Sequence, residues 1–403
     1  MNLFNRVRTL PPAASPHSVT DLLSGFFGIL NPSAAIERFH SSLSEQFHKK
    51  FCFTFSSGKA ALASALRALH TLHPASNGVV VPAFNCYSVP SAIIDAGCTV
   101  IPCETDPLTL DFDESALREI IRSNNHLLAV CPTHLFGLPA KIDRVREILA
   151  QNPVTVIEDA AQAMGTALSG HPQLCTGDMV LFSLGRGKAF SAGEGGILLT
   201  DNEEFAAILQ KNADSLSGYS AKELVKLSIL TVAMFVLINP RLFTLPAKLP
   251  FLKLGDTLFE PDFPTHQLSG LQAGFARNWK HRLGKFNSAR LSCAKQYYDN
   301  LSQSPSIQMF WDPTTPVPCI RFPVLFDSEK TANAVFSEGK RNGLGIANTY
   351  PDAIDRISQV KVPPQKHTVH ARNIARRLLT LPCHPFVTRQ DIDRIVGCIK
   401  QAD

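Results

Sequence analysis

A chain of 403 residues, 45% hydrophobic and 18% charged, can bury two domains, or one large domain with an appendage, which excludes the disordered classes. Its net charge of +5 comes without a dense Lys/Arg block, so nucleic acid is not an expected partner. The ten cysteines are scattered without CxxC pairs or metal-ligand spacing; they read as reduced thiols of a cytoplasmic protein with no metal site.

Residues 1–50 read as an N-terminal arm, helical around Ala34 to Phe47 and without the apolar core of a secretory leader. Over 51–214 short apolar runs alternate with helical stretches. Helices are expected at Gly58 to Leu72, Ser88 to Ala96, Glu114 to Arg122 and Ile142 to Ala150. Strands are expected at Gly78 to Pro82, Thr99 to Pro102, Leu127 to Cys131, Val154 to Ile157, Met179 to Ser183 and Gly196 to Thr200. This alternation predicts an α/β fold with a mainly parallel sheet covered on both faces.

The rhythm breaks at 215–264, which is apolar and Pro-rich, and again at 304–318, which reads as loop. Between them Gln267 to Leu301 reads as a long helix or a helix pair. A strand at Ile320 to Phe326 and helices at Lys330 to Asn342 and Asp391 to Ile399 suggest a smaller C-terminal α+β domain over 265–403. Ligands of open α/β sheets sit beyond the carboxyl ends of the strands, so chemistry is sought in the loops that follow them.

Three such segments stand out. In VIEDAAQAMG (156–165) a strand ends on Glu158 and Asp159, where a carboxylate serves either as a helix cap or as the partner of a cation or a protonated ring nitrogen. In FSLGRGKAFSAGEGG (182–196) Ser183 and Lys188 lie in a Gly-rich return between strands. Backbone N–H groups and a hydroxyl there can hold a phosphate, and the lysine is placed for imine chemistry, unless it is simply solvated. In FSSGKAALASAL (55–66) Ser56, Ser57 and Gly58 precede a strong helix, as an ordinary N-cap or as a phosphate site. A phosphate cradle, a carboxylate and a lysine are together what pyridoxal phosphate requires.

With those residues in view the chain resembles the DegT/DnrJ/EryC1/StrS family, the sugar-nucleotide aminotransferases of fold type I. SSGKAAL is similar to the family's SGTAAL turn, THLFGLPAKID to its VHLYGQPADMD, and VIEDAAQAMG is nearly identical to its acidic motif. The stretch ending in ETDPLTLDFD, the segment HQLSGLQAGFA and the tail RLLTLPCHPFVTRQDIDRI extend the likeness over roughly 50–212 and 265–400. The resemblance implies a mainly parallel seven-stranded sheet, pyridoxal 5'-phosphate as cofactor, and a homodimer with shared active sites. It implies that Lys188 holds the cofactor as a Schiff base and shuttles the α-carbon proton. Asp159 would keep the ring nitrogen protonated, Gln162 would meet the ring hydroxyl, and Ser183, Ser57 and Gly58 would hold the phosphate. A dehydratase branch carries histidine in place of the lysine, so Lys188 favours transamination.

Departures from the pattern are local. Lys59 replaces a threonine at the phosphate turn, exchanging a hydroxyl for a cation. Cys86 occupies the position of an aromatic ring that stacks on the cofactor, with Phe84, Tyr87 or His134 as candidate substitutes. Ala189 replaces a common asparagine, and Thr265 falls near an asparagine that reaches the neighbouring subunit's phosphate. His134 reads as structural or ring-contacting; Arg186, Arg321 and Tyr350 are candidate substrate contacts.

Within 215–264 the uncharged run Leu227 to Pro240 is shorter than the roughly 20 residues that span a bilayer. One reading is a buried helix covering a dimer or domain interface. The other is a membrane-surface element over 224–252, with Lys222, Lys226, Arg241, Lys248 and Lys253 toward headgroups. The expected activity is transfer of an amino group from an amino acid, L-glutamate foremost, to a keto group of a nucleotide-linked or lipid-linked sugar. The alternatives are elimination or dehydration on the same cofactor, and a non-enzymatic membrane-associated regulator on the same fold.

Overall fold

The computed structural model describes residues 8–152, 154–247, 257–362 and 368–402. The arm forms α1 (Val19–Leu30) and α2 (Pro32–Phe47). There follow β1 (Phe51–Phe55), α3 (Gly58–Leu72), β2 (Gly78–Pro82), α4 (Ser88–Asp95), β3 (Thr99–Cys103), α5 (Glu114–Ser123) and β4 (Leu127–Val130). Then come α6 (Ile142–Leu149), β5 (Thr155–Asp159), α7 (Met164–Leu168), β6 (Met179–Ser183) and β7 (Gly196–Thr200). These strands form one seven-stranded sheet in the order β1-β7-β6-β5-β4-β2-β3. The five strands from β6 across to β3 are parallel, and β7 runs antiparallel to both of its neighbours.

The sequence explains the layering. Strands such as GVVVP and MVLFS are buried along their whole length, as parallel strands covered on both faces must be. Helix α3 is capped by the Ser57 hydroxyl and sinks nine of its residues into the core, so it lies inside the molecule rather than on it. The other face of the sheet is closed by Phe39, Phe47, Phe275, Trp279 and Phe286. The FCFTF run of β1 was not among the expected strands; its register along β7, Phe51 opposite Thr200, is set by a long-range pairing.

The second half contains α8 (Glu203–Asp214), α9 (Ala221–Leu237), α10 (Thr244–Ala247), α11 (Gly270–Phe275), α12 (Trp279–Leu301), β8 (Ile307–Met309) and β9 (Arg321–Phe326). It ends with α13 (Glu329–Arg341), β10 (Ala347–Asn348), α14 (Val369–Arg377), β11 (Leu378–Pro382) and α15 (Arg389–Lys400). The last four strands make an antiparallel sheet in the order β10-β11-β9-β8. The span 304–318, read as loop, contributes the short edge strand β8.

The apolar insertion is helical but is not a buried helix of this chain. Along α9 Leu227 and Thr231 are buried, whereas Val225, Ile229, Val232 and Val236 form one outward stripe, Ile229 at 65% exposure. Among the described residues no helix is long and apolar enough to cross a membrane. Lys248 and Lys253 lie outside the described residues.

Helices α1 and α11 cross at glycines. A Cβ on Gly28 would fall 2.1 Å from Gly270 O, and one on Gly270 would fall 2.3 Å from Gly28 O. Gly270→Ala is therefore expected to force the helices apart and to cost about 2 kcal/mol, read as a lower urea midpoint at unchanged slope.

Candidate active site

The carboxyl end of β5 separates two adjacent acids. Successive side chains of a strand point to opposite faces, so Glu158 and Asp159 enter different surroundings. Glu158 is fully buried and accepts from Cys175 N at 2.7 Å and from Thr176 N and Gly177 N at 2.9 Å. His134 Nε2 lies 3.1 Å from the same carboxylate, while His134 Nδ1 accepts from Ala140 N. Burial alone would raise the Glu158 pKa; His134 and the backbone donors outweigh it and hold the group below the usual carboxylate range. Glu158 and His134 thus fix a loop, and His134 is structural.

Asp159, 4% exposed, keeps the chemistry open. Its Oδ1 accepts from Ala161 N at 3.0 Å, and Oδ2 has no partner among the described residues. Burial pushes its pKa above the ordinary value, opposed by the Ala161 N–H, Lys188 and His134. A carboxylate left in that state is stabilised by a cationic N–H donor placed against it.

Lys188 follows β6 in a loop that turns back through left-handed glycines, Gly187 at φ +73° and Gly193 at φ +88°. The loop is clamped from far away in the chain. Ser15 Oγ donates to Lys188 O at 2.9 Å, and the buried Arg290 donates from Nη2 to Ala189 O at 2.8 Å. The Lys188 ammonium itself makes no hydrogen bond or ion pair among the described residues, and it acts electrostatically on Asp159.

Ser57, Gly58 and Ser183 meet at the start of α3. A Cβ on Gly58 would stand 3.1 Å from Ser183 Oγ, so glycine is what lets that hydroxyl approach the helix. Ser57 Oγ accepts from Ala60 N at 3.1 Å, while the first-turn N–H groups have no acceptor within the helix. An anion site results from helix end and hydroxyls together. The Lys59 ammonium instead pairs with Glu260 at 3.0 Å and lies over the Phe263 ring. Its contribution at the cradle is therefore its backbone N–H.

Gln162 is buried between the two sheets: Oε1 accepts from Phe136 N at 3.2 Å and Nε2 donates to Tyr350 Oη at 3.0 Å, leaving one amide hydrogen free. Cys86 is half-buried beside Phe84 and Tyr350, whose rings stand 5.0 Å apart. Tyr87 Oη is engaged with the Asp352 backbone. Thr265 precedes His266, whose N–H donates to Ser56 Oγ next to the α3 start. Arg186 is exposed, whereas Arg321 lies beside the Lys188 loop.

The residues fit pyridoxal phosphate on structural grounds: among the described residues, a lysine side chain without a partner, a buried carboxylate with an unpaired oxygen, and a helix end opened by Gly58. A separate cleft of about 800 Å³ lies where the strands begin, but its charges are already paired as Lys49 with Asp201 and Arg146 with Asp178.

Glu158 predicts a pH signature. Its folded pKa is depressed, so it contributes stability above the unfolded carboxylate pKa, lost as pH falls through the folded value. Glu158→Gln should cost about 3 kcal/mol in urea at neutral pH and should flatten the acid limb of the stability profile, checked by titrations across pH.

Comparison with known proteins places the chain in a family. Over 168 residues the chain is 30% identical to GDP-perosamine synthase of Escherichia coli O157:H7, covering 42% of this chain and 45% of that protein. The match thus spans less than half the length of the GDP-perosamine synthases. UDP-N-acetyl-3-dehydro-alpha-D-glucosamine 3-aminotransferase of Acidithiobacillus ferrooxidans is 25% identical over 373 residues, covering 92% of this chain and 88% of the relative. In fold, DesI, solved in the presence of its TDP-sugar product, superposes with a TM-score of 0.76 at 18% identity over 98% of this chain and 93% of its own. A family model matches residues 18–228 and 265–400, and the chain belongs to the DegT/DnrJ/EryC1/StrS aminotransferase family.

Proposed function

We propose that this protein is a pyridoxal-phosphate-dependent aminotransferase. It moves an amino group from an amino acid, L-glutamate foremost, to a keto group of a nucleotide-linked or lipid-linked sugar. The observation that carries this reading is the unpartnered Lys188 amine beside a buried Asp159 with one free oxygen. The names of the similar synthases and of the 3-aminotransferase support a keto-sugar acceptor. The reading includes a homodimer with shared sites.

When bound, pyridoxal phosphate supplies an aldehyde for amines and a ring that takes up the electron pair released at the α-carbon. The chain's own residues do the rest. Lys188 Nζ would hold the cofactor's aldehyde and, once the donor's amine has displaced it, would be free to move the proton at the donor's α-carbon. Asp159 Oδ2 would keep a proton on the ring nitrogen, and the free Gln162 hydrogen would serve the ring hydroxyl. Gly58 N–H, Lys59 N–H, Ser57 and Ser183 would hold the phosphate, and Cys86 would line the ring's side. The purified protein with added cofactor should show a visible band that L-glutamate bleaches, absent in Lys188→Ala. A wild type without a band would sink the proposal, and a band indifferent to every amino acid would move it to elimination chemistry.

The α9 stripe supports contact with an anionic membrane surface. Residues 221–247 carry Lys222, Lys226 and Arg241 against Glu223 alone, and these three cations are exposed. Residues 229–264, with most of the stripe, fall between the family-matched segments. Vesicles containing phosphatidylglycerol should sediment the protein, and phosphatidylcholine alone or an Ile229→Glu/Val232→Glu variant should not. Failure to sediment, with the variant losing self-association instead, would assign the stripe to a second copy.

A further inference from the structure

We propose that Arg321 anchors the α-carboxylate of the amino-acid donor, an inference that rests on the aminotransferase reading. Arg321 opens β9, an inner strand of the small sheet, and the neighbouring Ile320 N donates to Phe136 O at 2.9 Å, tying the start of β9 to the segment that follows β4. The guanidinium reaches over the Lys188 loop, Nη2 standing 3.5 Å from where a Cβ on Gly187 would be. Gly187, left-handed and without a side chain, keeps that space clear.

The guanidinium is without a partner among the described residues. Its Nε is buried with no hydrogen bond, and among the described residues Arg321 forms no side-chain hydrogen bond or ion pair. Two other arginines pack around the site, each tied down by a contact within the chain. Arg282 meets Asp21 at 3.3 Å, donates to Pro16 O and lies over Phe190; Arg290 is committed to the loop backbone through Nη2 to Ala189 O, although its Nε and Nη1 are buried without a hydrogen bond among the described residues. The polar groups acting on Arg321 are Tyr350 and Cys86, neither a carboxylate. Burial of its inner part lowers its pKa from the ordinary value, while the residue as a whole is half-buried, so the guanidinium is partly desolvated with no counter-ion among the described residues. Such a group carries a desolvation cost that an incoming anion offsets.

Chemistry selects the anion. Nitrogen leaves the donor at the carbon where Lys188 works, and the α-carboxylate is bonded to that same carbon. A cation beside the Lys188 loop therefore meets the α-carboxylate rather than a carboxylate further along the side chain. The planar guanidinium matches it in two parallel hydrogen bonds, which an ammonium cannot reproduce. The same cation could instead meet the diphosphate of a nucleotide-linked acceptor, so the test separates the two.

Arg321→Gln and Arg321→Lys are compared with wild type as holoproteins. The band is titrated with L-glutamate and with 4-aminobutanoate, which is glutamate without its α-carboxylate. We expect Arg321→Gln to keep the band, yet to need about 100-fold more glutamate for half-bleaching. Its preference for glutamate over 4-aminobutanoate should disappear, with Arg321→Lys in between. An unchanged glutamate titration in Arg321→Gln overturns the proposal; so does a loss confined to competition by UDP, GDP or TDP, which assigns the cation to the acceptor. If wild type shows no band, the aminotransferase reading fails by itself. Calorimetric titration of wild type and Arg321→Gln with L-glutamate then decides the carboxylate site, equal binding by both or none by wild type overturning it.

Discussion

The site depends on one buried carboxylate that the fold leaves incompletely paired. Asp159 ends β5 with Oδ2 free among the described residues, and burial alone would drive it toward its neutral form. Its neighbour Glu158 shows what the same chain does when it wants a carboxylate satisfied: three backbone donors and His134 surround it. The contrast between adjacent residues separates the structural acid from the one kept for a ligand. It follows from strand alternation, which sends one side chain to the Cys175–Gly177 loop and the other to the site.

Much of this is legible in the sequence because it is local. The βα alternation, the Ser57 cap of α3, the acid pair at a strand end and the Lys188 glycine loop each depend on residues within about one turn or strand. What stayed hidden is long-range. Nothing near Ser15 or Arg290 says that they clamp the carbonyls of Lys188 and Ala189. Arg290 looks, within α12, like an ordinary helix cation until the fold buries it. Lys59 reads as a phosphate ligand by position, yet Glu260, two hundred residues later, draws its ammonium away. The β1 strand needed β7 to define it, and the tail strand β11 needed β9.

The insertion joins these two scales. Thr231 on the buried side of α9 would stand 3.3 Å from a Cβ on Gly193, in the return arm of the Lys188 loop. The opposite side carries the Val225, Ile229, Val232 and Val236 stripe. One helix therefore packs against the loop that carries Lys188 with one face and presents an apolar stripe outward with the other.

The two sheets meet at the site through a few polar crossings set in a small apolar cluster. Gln162 donates to Tyr350, Asp352 N and the Tyr87 hydroxyl share a bond, and Glu104 accepts from His370 N and Ala371 N. Phe84, Tyr350 and Leu325 fill the space between. Each such hydrogen bond contributes only about 1 kcal/mol, so their effect is chiefly one of register. They fix where the small sheet stands, and Arg321 and Tyr350 are carried by it, whereas Lys188 and Asp159 are carried by the large one. The distance between the cation of one sheet and the amine of the other is thus set by the junction itself. That is why no single segment of the sequence, read alone, discloses the arrangement around Lys188.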